Sequence, residues 1–199
     1  MTVKPVTYHD TLPFLLGVHY ARRVPCIQYA FGLYEGDILV GVVTYGKPAS
    51  PFLCKGVAGE KNRHLVIELS RLVVVTDSMN AASFLVGQSL RQLPKGLFVV
   101  SYADTGKVHI GYVYQATNFL YTGLSVKYND LFMEGKHSRH LDVCKDSCVK
   151  KPRSRKHRYV TFTGKDKKTM RSLLLYPVLP YPKGETHRYD TGNPEKEEK

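Results

Sequence analysis

Leu65–Val75, LVIELSRLVVV, is the stretch on which the fold turns. Branched aliphatic residues dominate it, and strict alternation puts apolar side chains on both faces. Leu65, Ile67, Leu69, Val73 and Val75 fall on one face, and Val66, Leu72 and Val74 on the other. A strand apolar on both faces is covered on both faces, which places it centrally in an α/β sheet. Three polar residues interrupt the run. By alternation Glu68 and Ser70 share one face and Arg71 points to the other. A charge inside such a strand needs a partner. Either Glu68 and Arg71 pair structurally with neighbours, or the sheet opens here onto a site.

Downstream the pattern becomes a βαβ unit. Asp77 and Ser78 are N-cap residue types, and Met79, Ala82, Leu85, Val86, Leu90 and Leu93 recur at helical spacing. Pro94-Lys95-Gly96 stops that helix, and Leu97–Tyr102 (LFVVSY) reads as a second strand. A helical crossover makes the two strands parallel. Ligands in open α/β sheets bind beyond the carboxyl ends of the strands. Ser101 and Asp104 therefore stand where chemistry is expected.

Upstream, Thr7–Gly17 reads as a short helix, and Ile27–Tyr34 and Ile38–Tyr45 as an antiparallel hairpin. The Gly- and Pro-containing stretch 46–62 reads as a long loop. His109–Asn118 carries apolar residues at helical spacing, and Phe119–Tyr121 and Leu124–Tyr128 read as short strands. Composition changes after Glu134. We therefore divide the chain into a catalytic domain (1–134), a basic C-terminal extension packing on it (135–183) and a disordered tail (184–199). Within the extension, Tyr159–Phe162 reads as a strand, Asp166–Leu175 as a basic helix and Tyr176–Tyr181 as an extended segment.

The chain has 199 residues, with 29 Lys and Arg against 17 Asp and Glu, a net charge of +12. The isoelectric point is near 9.5. A polyanion is therefore the first partner to consider. Arg22, Arg23 and the run Lys150, Lys151, Arg153, Arg155, Lys156 and Arg158 are the expected phosphate contacts. The sequence shows no apolar run long enough to span a bilayer and no signal-peptide pattern, so a membrane partner is not expected. Four cysteines without a secretory signal do not make a disulfide scaffold, and the reading is cytoplasmic. His137, His140, Cys144 and Cys148 are of metal-ligating types but match no standard finger spacing. A metal and a basic, solvated DNA-contacting segment both stay open there.

The order of elements over Ile27–Asn118 resembles the GNAT acyltransferase fold: a mixed central sheet flanked by helices. Members using acetyl-CoA place a glycine-rich loop between the central strand and its helix, so that backbone amides approach the phosphates. The corresponding junction, Val75-Thr76-Asp77-Ser78-Met79-Asn80-Ala81, has no glycine and carries an acid. This argues against conventional acetyl-CoA binding.

Particular residues narrow the resemblance. They are His19-Tyr20-Ala21-Arg22-Arg23-x-Pro25, Glu68-Leu69-Ser70-Arg71-Leu72, Ser101-Tyr102-Ala103-Asp104, Gly111–Phe119 (GYVYQATNF), Lys156-His157-Arg158-Tyr159 and Tyr176–Pro182 (YPVLPYP). Together they resemble the Mom family of Mu-like phages. That resemblance implies an enzyme converting adenine in double-stranded phage DNA to N6-carbamoylmethyladenine, shielding the DNA from restriction in the host cytoplasm. It also implies a bound iron, with His19 and Tyr20 as candidate ligands, and an acetamide donor that the residues do not name. Asp104, Arg71, Ser101, Tyr114 and Ser83 become its candidate catalytic residues. A compact site cannot reach a stacked base, so flipping is expected, with Tyr114 against the adenine. Two other classes stay open: a GNAT-type acyl or aminoacyl transferase acting on RNA or protein, and a non-catalytic nucleic-acid-binding protein. The buried polar residues Glu68, Arg71 and Asp104 argue against the latter. Oligomeric state is not legible, a homodimer being one option.

Overall fold

A computed structural model describes residues 1–132, 149–164 and 166–184. In chain order the elements are β1 (Thr2–Pro5), α1 (Tyr8–Leu12), β2 (Tyr29–Glu35), β3 (Ile38–Gly46), α2 (Pro51–Asn62), β4 (Val66–Val74), α3 (Ala81–Gln92), β5 (Phe98–Asp104), α4 (Tyr112–Ala116), β6 (Leu120–Leu124), β7 (Tyr128–Phe132), β8 (Val149–Arg153), β9 (Lys156–Phe162) and α5 (Lys167–Ser172). Seven strands form one mixed sheet in the order β1-β2-β3-β4-β5-β9-β6, and β7 pairs with β8 separately. Every pairing in the large sheet is antiparallel except β4 with β5. The fold is the expected α/β sheet flanked by helices.

Both faces of the sheet are covered. Leu85 and Val86 of α3 pack with Ile67, Leu69 and Val99 on one face. Cys54, Val57 and Ala58 of α2 and Met170 of α5 pack with Val66, Phe98 and Val160 on the other. Such two-sided burial is why β4 and β5 are near-continuous apolar runs.

Four readings change. Residues 51–62, expected as loop, form α2. Ser50 caps it, Leu53 N–H donating to its Oγ at 3.4 Å, and Pro51 occupies the first helical turn, where its missing N–H costs nothing. The glycines there are accommodated by a break at Gly59 (φ 76°). Asp77 and Ser78 do not cap α3. The Ser78 and Thr76 hydroxyls instead donate to the Glu35 carboxylate at 2.5 and 2.9 Å, and α3 starts after Asn80 at φ 60°. One strand, Leu120–Leu124, replaces the two expected around Thr122-Gly123. Lys156–Phe162, inside the stretch expected as an extension, is an interior strand between β5 and β6. The core completes itself with this distant strand because β5 otherwise exposes an unpaired edge.

The alternation read for β4 also breaks. The β3–β4 register slips between Thr44 and Tyr45: Tyr45 opposes Leu69, but Thr44 opposes Arg71. Ser70 is the extra residue of a β-bulge. Regular β3 reports the consequence. Val43 and Tyr45 belong to the α3-side core with Leu72 and Leu69. Val42, Thr44 and Gly46 face the other way, and so do their partners Val73, Arg71 and Glu68. Glu68 and Arg71 therefore share a face, which strict alternation would deny them.

Candidate active site

β4 and β5 pair only at Val66↔Phe98, Ile67↔Val99 and Glu68↔Val100. Beyond that point they part. Ser101 bridges the start of the gap, its Oγ donating to the Leu69 carbonyl at 3.2 Å. The parting opens a cleft of about 980 Å³. Arg71, Ser83, Asp104, Tyr114, His19 and Tyr20 all line it. Five of these come from separate elements or loops, so tertiary structure gathers residues that the sequence scatters.

Ser101 and Tyr114 belong to the α3 side. Tyr114 packs against Phe119 and Tyr159, with ring centroids 5.3 and 5.4 Å away. Burial pushes its phenol up to about 12, against an opposing hydrogen bond with Ser101. Tyr114 is thus a protonated donor at neutral pH. Gly111 starts α4 at φ 83°, where a Cβ would meet the Tyr159 ring at 2.5 Å. Glycine is required there by both backbone conformation and space. Ser83 sits in the first turn of α3 and donates to the Asn80 carbonyl at 2.9 Å.

Asp104 closes the other wall. Its Oδ1 accepts from the Gly106 amide at 2.9 Å and the Ser154 hydroxyl at 2.5 Å, and its Oδ2 lies 3.4 Å from Lys156 Nζ. Burial works to raise its pKa. The bonds from Ser154 and Gly106 and the charge of Lys156 outweigh that and hold the carboxyl below its usual range. Asp104 is therefore a fixed anion that also caps the short 3₁₀ turn Thr105–Lys107.

Arg71 lies within electrostatic reach of both His19 and Tyr20. One of its guanidinium N–H groups donates to the Ser70 carbonyl at 2.6 Å. His19 is buried, and its Nδ1 accepts the Ala21 amide at 3.0 Å. Burial first, then the charges of Arg71 and Lys156, lower its pKa to about 4, so it is neutral at pH 7. Tyr20 stacks on it at 4.4 Å, and burial followed by the Asp104 charge raises its phenol pKa.

The iron expected of His19 and Tyr20 is a question of donor chemistry. With Nδ1 accepting an amide, the neutral imidazole carries its proton on Nε2, leaving neither ring nitrogen with a spare lone pair. The raised Tyr20 pKa favours phenol over phenolate. The pair as arranged does not fit a metal: coordination by His19 requires its ring to leave the Ala21 amide. Among the described residues no group of three or more His, Cys, Asp or Glu side chains could hold an ion. His137, His140, Cys144 and Cys148 lie outside the described residues.

The basic residues divide. Arg22 and Arg23 are exposed beside Tyr20, and Arg153 is exposed at the end of β8. Lys150 and Lys151 lie in β8. Lys156 lines the cleft beside Asp104. Arg155 donates to the Ser125 carbonyl at 2.7 Å. Arg158 donates to the Thr122 hydroxyl and carbonyl, both at 2.9 Å, and stacks 3.4 Å from the centre of the Tyr176 ring. These contacts tie it to β6 and to the segment after α5. The cleft also takes in Glu68, and with it Lys107 and His109, which sequence reasoning did not place in a site. Glu68 was visible as a charge in an apolar strand. Ser154, which holds Asp104 from 50 residues away, had no local signal.

A mixed sheet whose single parallel pair splays over a polar cleft is the GNAT fold. Solved structures of low sequence identity are similar to this chain. A probable acetyltransferase from Staphylococcus epidermidis matches with a TM-score of 0.50 at 9% identity, covering 82% of this chain and 99% of that one. A GNAT-family acetyltransferase from Bacillus cereus matches at 0.47 and 14% identity, covering 82% and 98%. The family is narrower than the fold. The model of the Mom protein family matches residues 1–183, and this chain belongs to that family. The methylcarbamoylase mom of Escherichia phage Mu is 28% identical over 185 residues, covering 83% of this chain and 76% of that protein. No helix among the described residues is long and apolar enough to cross a membrane.

Proposed function

We propose that this chain converts adenine in double-stranded DNA to N6-carbamoylmethyladenine in the cleft between β4 and β5. The observation that carries the reading is the cleft itself: in a Mom-family chain, it gathers Arg71, Lys107 and Lys156 with a fixed carboxylate and the phenols of Tyr20 and Tyr114. Cations suit a polyanion, and Tyr20 and Tyr114 offer aromatic surface to a base brought out of the stack. The relative from phage Mu is named for methylcarbamoyl chemistry.

In this reaction the adenine N6 forms a bond to the donor's CH₂ carbon as that carbon's bond to its leaving group breaks. The leaving group keeps the bonding electron pair, and the N6 proton that is lost passes to solvent water. The N6 lone pair is delocalised into the ring, so the amine needs help. Asp104 stays ionised and accepts a hydrogen bond from N6–H through Oδ2, holding the amine and stabilising positive charge as it develops. Tyr114, protonated, gives its hydroxyl proton to Ser101 and accepts from the base through its remaining lone pair. Arg71 binds a carboxylate or phosphate of donor or DNA through its planar fork. Ser83 lines the wall beside α3.

The donor is not held as in acetyl-CoA enzymes. The β4–α3 junction lacks the glycine loop, and the Glu35 carboxylate, bonded to Thr76 and Ser78, puts negative charge near the start of α3. Pyrophosphate would meet repulsion there. Arg22, Arg23, Lys150, Lys151 and Arg153 bind the DNA backbone outside the cleft, and the modified DNA resists restriction enzymes that read adenine.

The test is mass spectrometry of nucleosides from a bacterium expressing the chain. A deoxyadenosine heavier by the carbamoylmethyl group is expected. Its absence, with the protein soluble and folded, would overturn the reading.

A further inference from the structure

The 3₁₀ turn Thr105–Lys107 ends on Val108, which adopts φ 55°, ψ 23°. A β-branched residue in the left-handed region is strained, and such strain concentrates at functional positions. Burial does not explain it, because Val108 is 73% exposed. Nor is the segment loose. The Val108 amide donates to Thr105 O and the His109 amide to Asp104 O, each at 3.1 Å. The Thr105 amide and hydroxyl both donate to Arg155 O, at 3.1 and 2.7 Å. The Gly106 amide is tied to the Asp104 carboxylate. The chain thus accepts strain to hold one apolar side chain outward on a rigid turn, at the rim of the cleft, between Lys107 and His109.

We propose that Val108 is a wedge that enters the DNA base stack and fills the space left by the target base. This rests on the adenine-modification reading. An apolar side chain on a rigid support is what unstacking requires, and apolar wedges between base steps are a recurrent means of distorting a duplex. Asp104 joins the two tasks: the carboxylate assigned to the N6 amine also holds the turn that carries the wedge. A base displaced by Val108 enters the cleft at that carboxylate. Met79, 86% exposed just before α3 begins, also lines the cleft. A wedge at one rim leaves the other side of the opening for the base to pass.

The test uses the full chain and a DNA duplex carrying 2-aminopurine in place of adenine at several positions, with no donor present. Its fluorescence rises when the base leaves the stack. Wild-type protein should raise it several-fold. Val108→Gly, which suits the backbone and removes the side chain, should bind within about twofold of wild type by anisotropy and show less than a tenth of the rise. Val108→Ile should restore it. A Val108→Gly rise equal to wild type, an affinity loss beyond twofold, or a wild-type complex with no rise would each overturn the wedge. Nucleoside mass spectrometry of the expressing cells separates the two ideas: modified deoxyadenosine without a 2-aminopurine response removes the wedge and leaves the proposed reaction standing.

Discussion

Lys156 Nζ lies 3.4 Å from Asp104 Oδ2, across the antiparallel register in which β5 and β9 place the two residues directly opposite. The contact joins the end of the parallel strand to a strand that arrives more than 50 residues later. With Ser154 and the Gly106 amide it makes Asp104 a permanent anion whose position is set from two sides.

Asp104→Asn should therefore abolish adenine modification. The amide keeps the shape and can still accept from Gly106, but it cannot hold the charge opposite Lys156. Losing a charged partner in a half-buried site costs about 1–3 kcal/mol, short of unfolding the domain. Cellular DNA is assayed for modified deoxyadenosine, beside a melting curve. Modification near the wild-type level in a folded variant would remove Asp104 from the reaction.

Tyr114→Phe separates the phenol from the ring. The contacts with Phe119 and Tyr159 persist, while the donor shared with Ser101 disappears. Modification should fall about 10²-fold, the usual scale for one positioned hydrogen-bonding group, with a stability change of about 1 kcal/mol or less. Unchanged modification would reduce Tyr114 to packing.

His19 makes stability depend on pH. Its folded pKa near 4 lies below the ordinary 6.5, so between these values the unfolded chain binds a proton that the folded chain refuses. Stability falls as pH drops through that window, by about 3 kcal/mol in all. Urea unfolding at pH 7 and pH 4.5 should show the loss, and His19→Gln should flatten it. An equal slope in the variant would place the titration elsewhere.

The basic residues should split by role. Arg158→Ala removes the Thr122 bonds and the stacking on Tyr176, and should cost about 2 kcal/mol of stability without altering the salt dependence of DNA binding. Replacing Lys150, Lys151 and Arg153 by Ala should do the reverse, reducing the slope of log affinity against log salt by about 0.9 for each phosphate left without its cation. Salt titrations and melting curves on both variants check this. A flattened slope for Arg158→Ala would show that its guanidinium reaches DNA.

Local pattern was enough to define the β4–α3–β5 unit, its parallel sense and the polar residues at its open end. These are properties of neighbouring residues: period-2 runs, helical spacing and a crossover whose geometry permits one sense. His19, Arg71, Ser101 and Asp104 were legible because each is a polar residue at a strand end or within a family-like motif. The remaining features arise only when distant strands meet. The bulge at Ser70 depends on the register with β3, and only it brings Arg71 to the face of Glu68. Ser154 and Lys156 reach Asp104 because β9 pairs with β5, and Arg158 is turned onto Thr122 and Tyr176 by the pairing of β9 with β6. Strand pairing across a long stretch of chain is won by whichever edge buries the most surface and satisfies the most backbone groups. No local pattern encodes that competition, so the opening could be read from the sequence while the side chains that hold its acid in place could not.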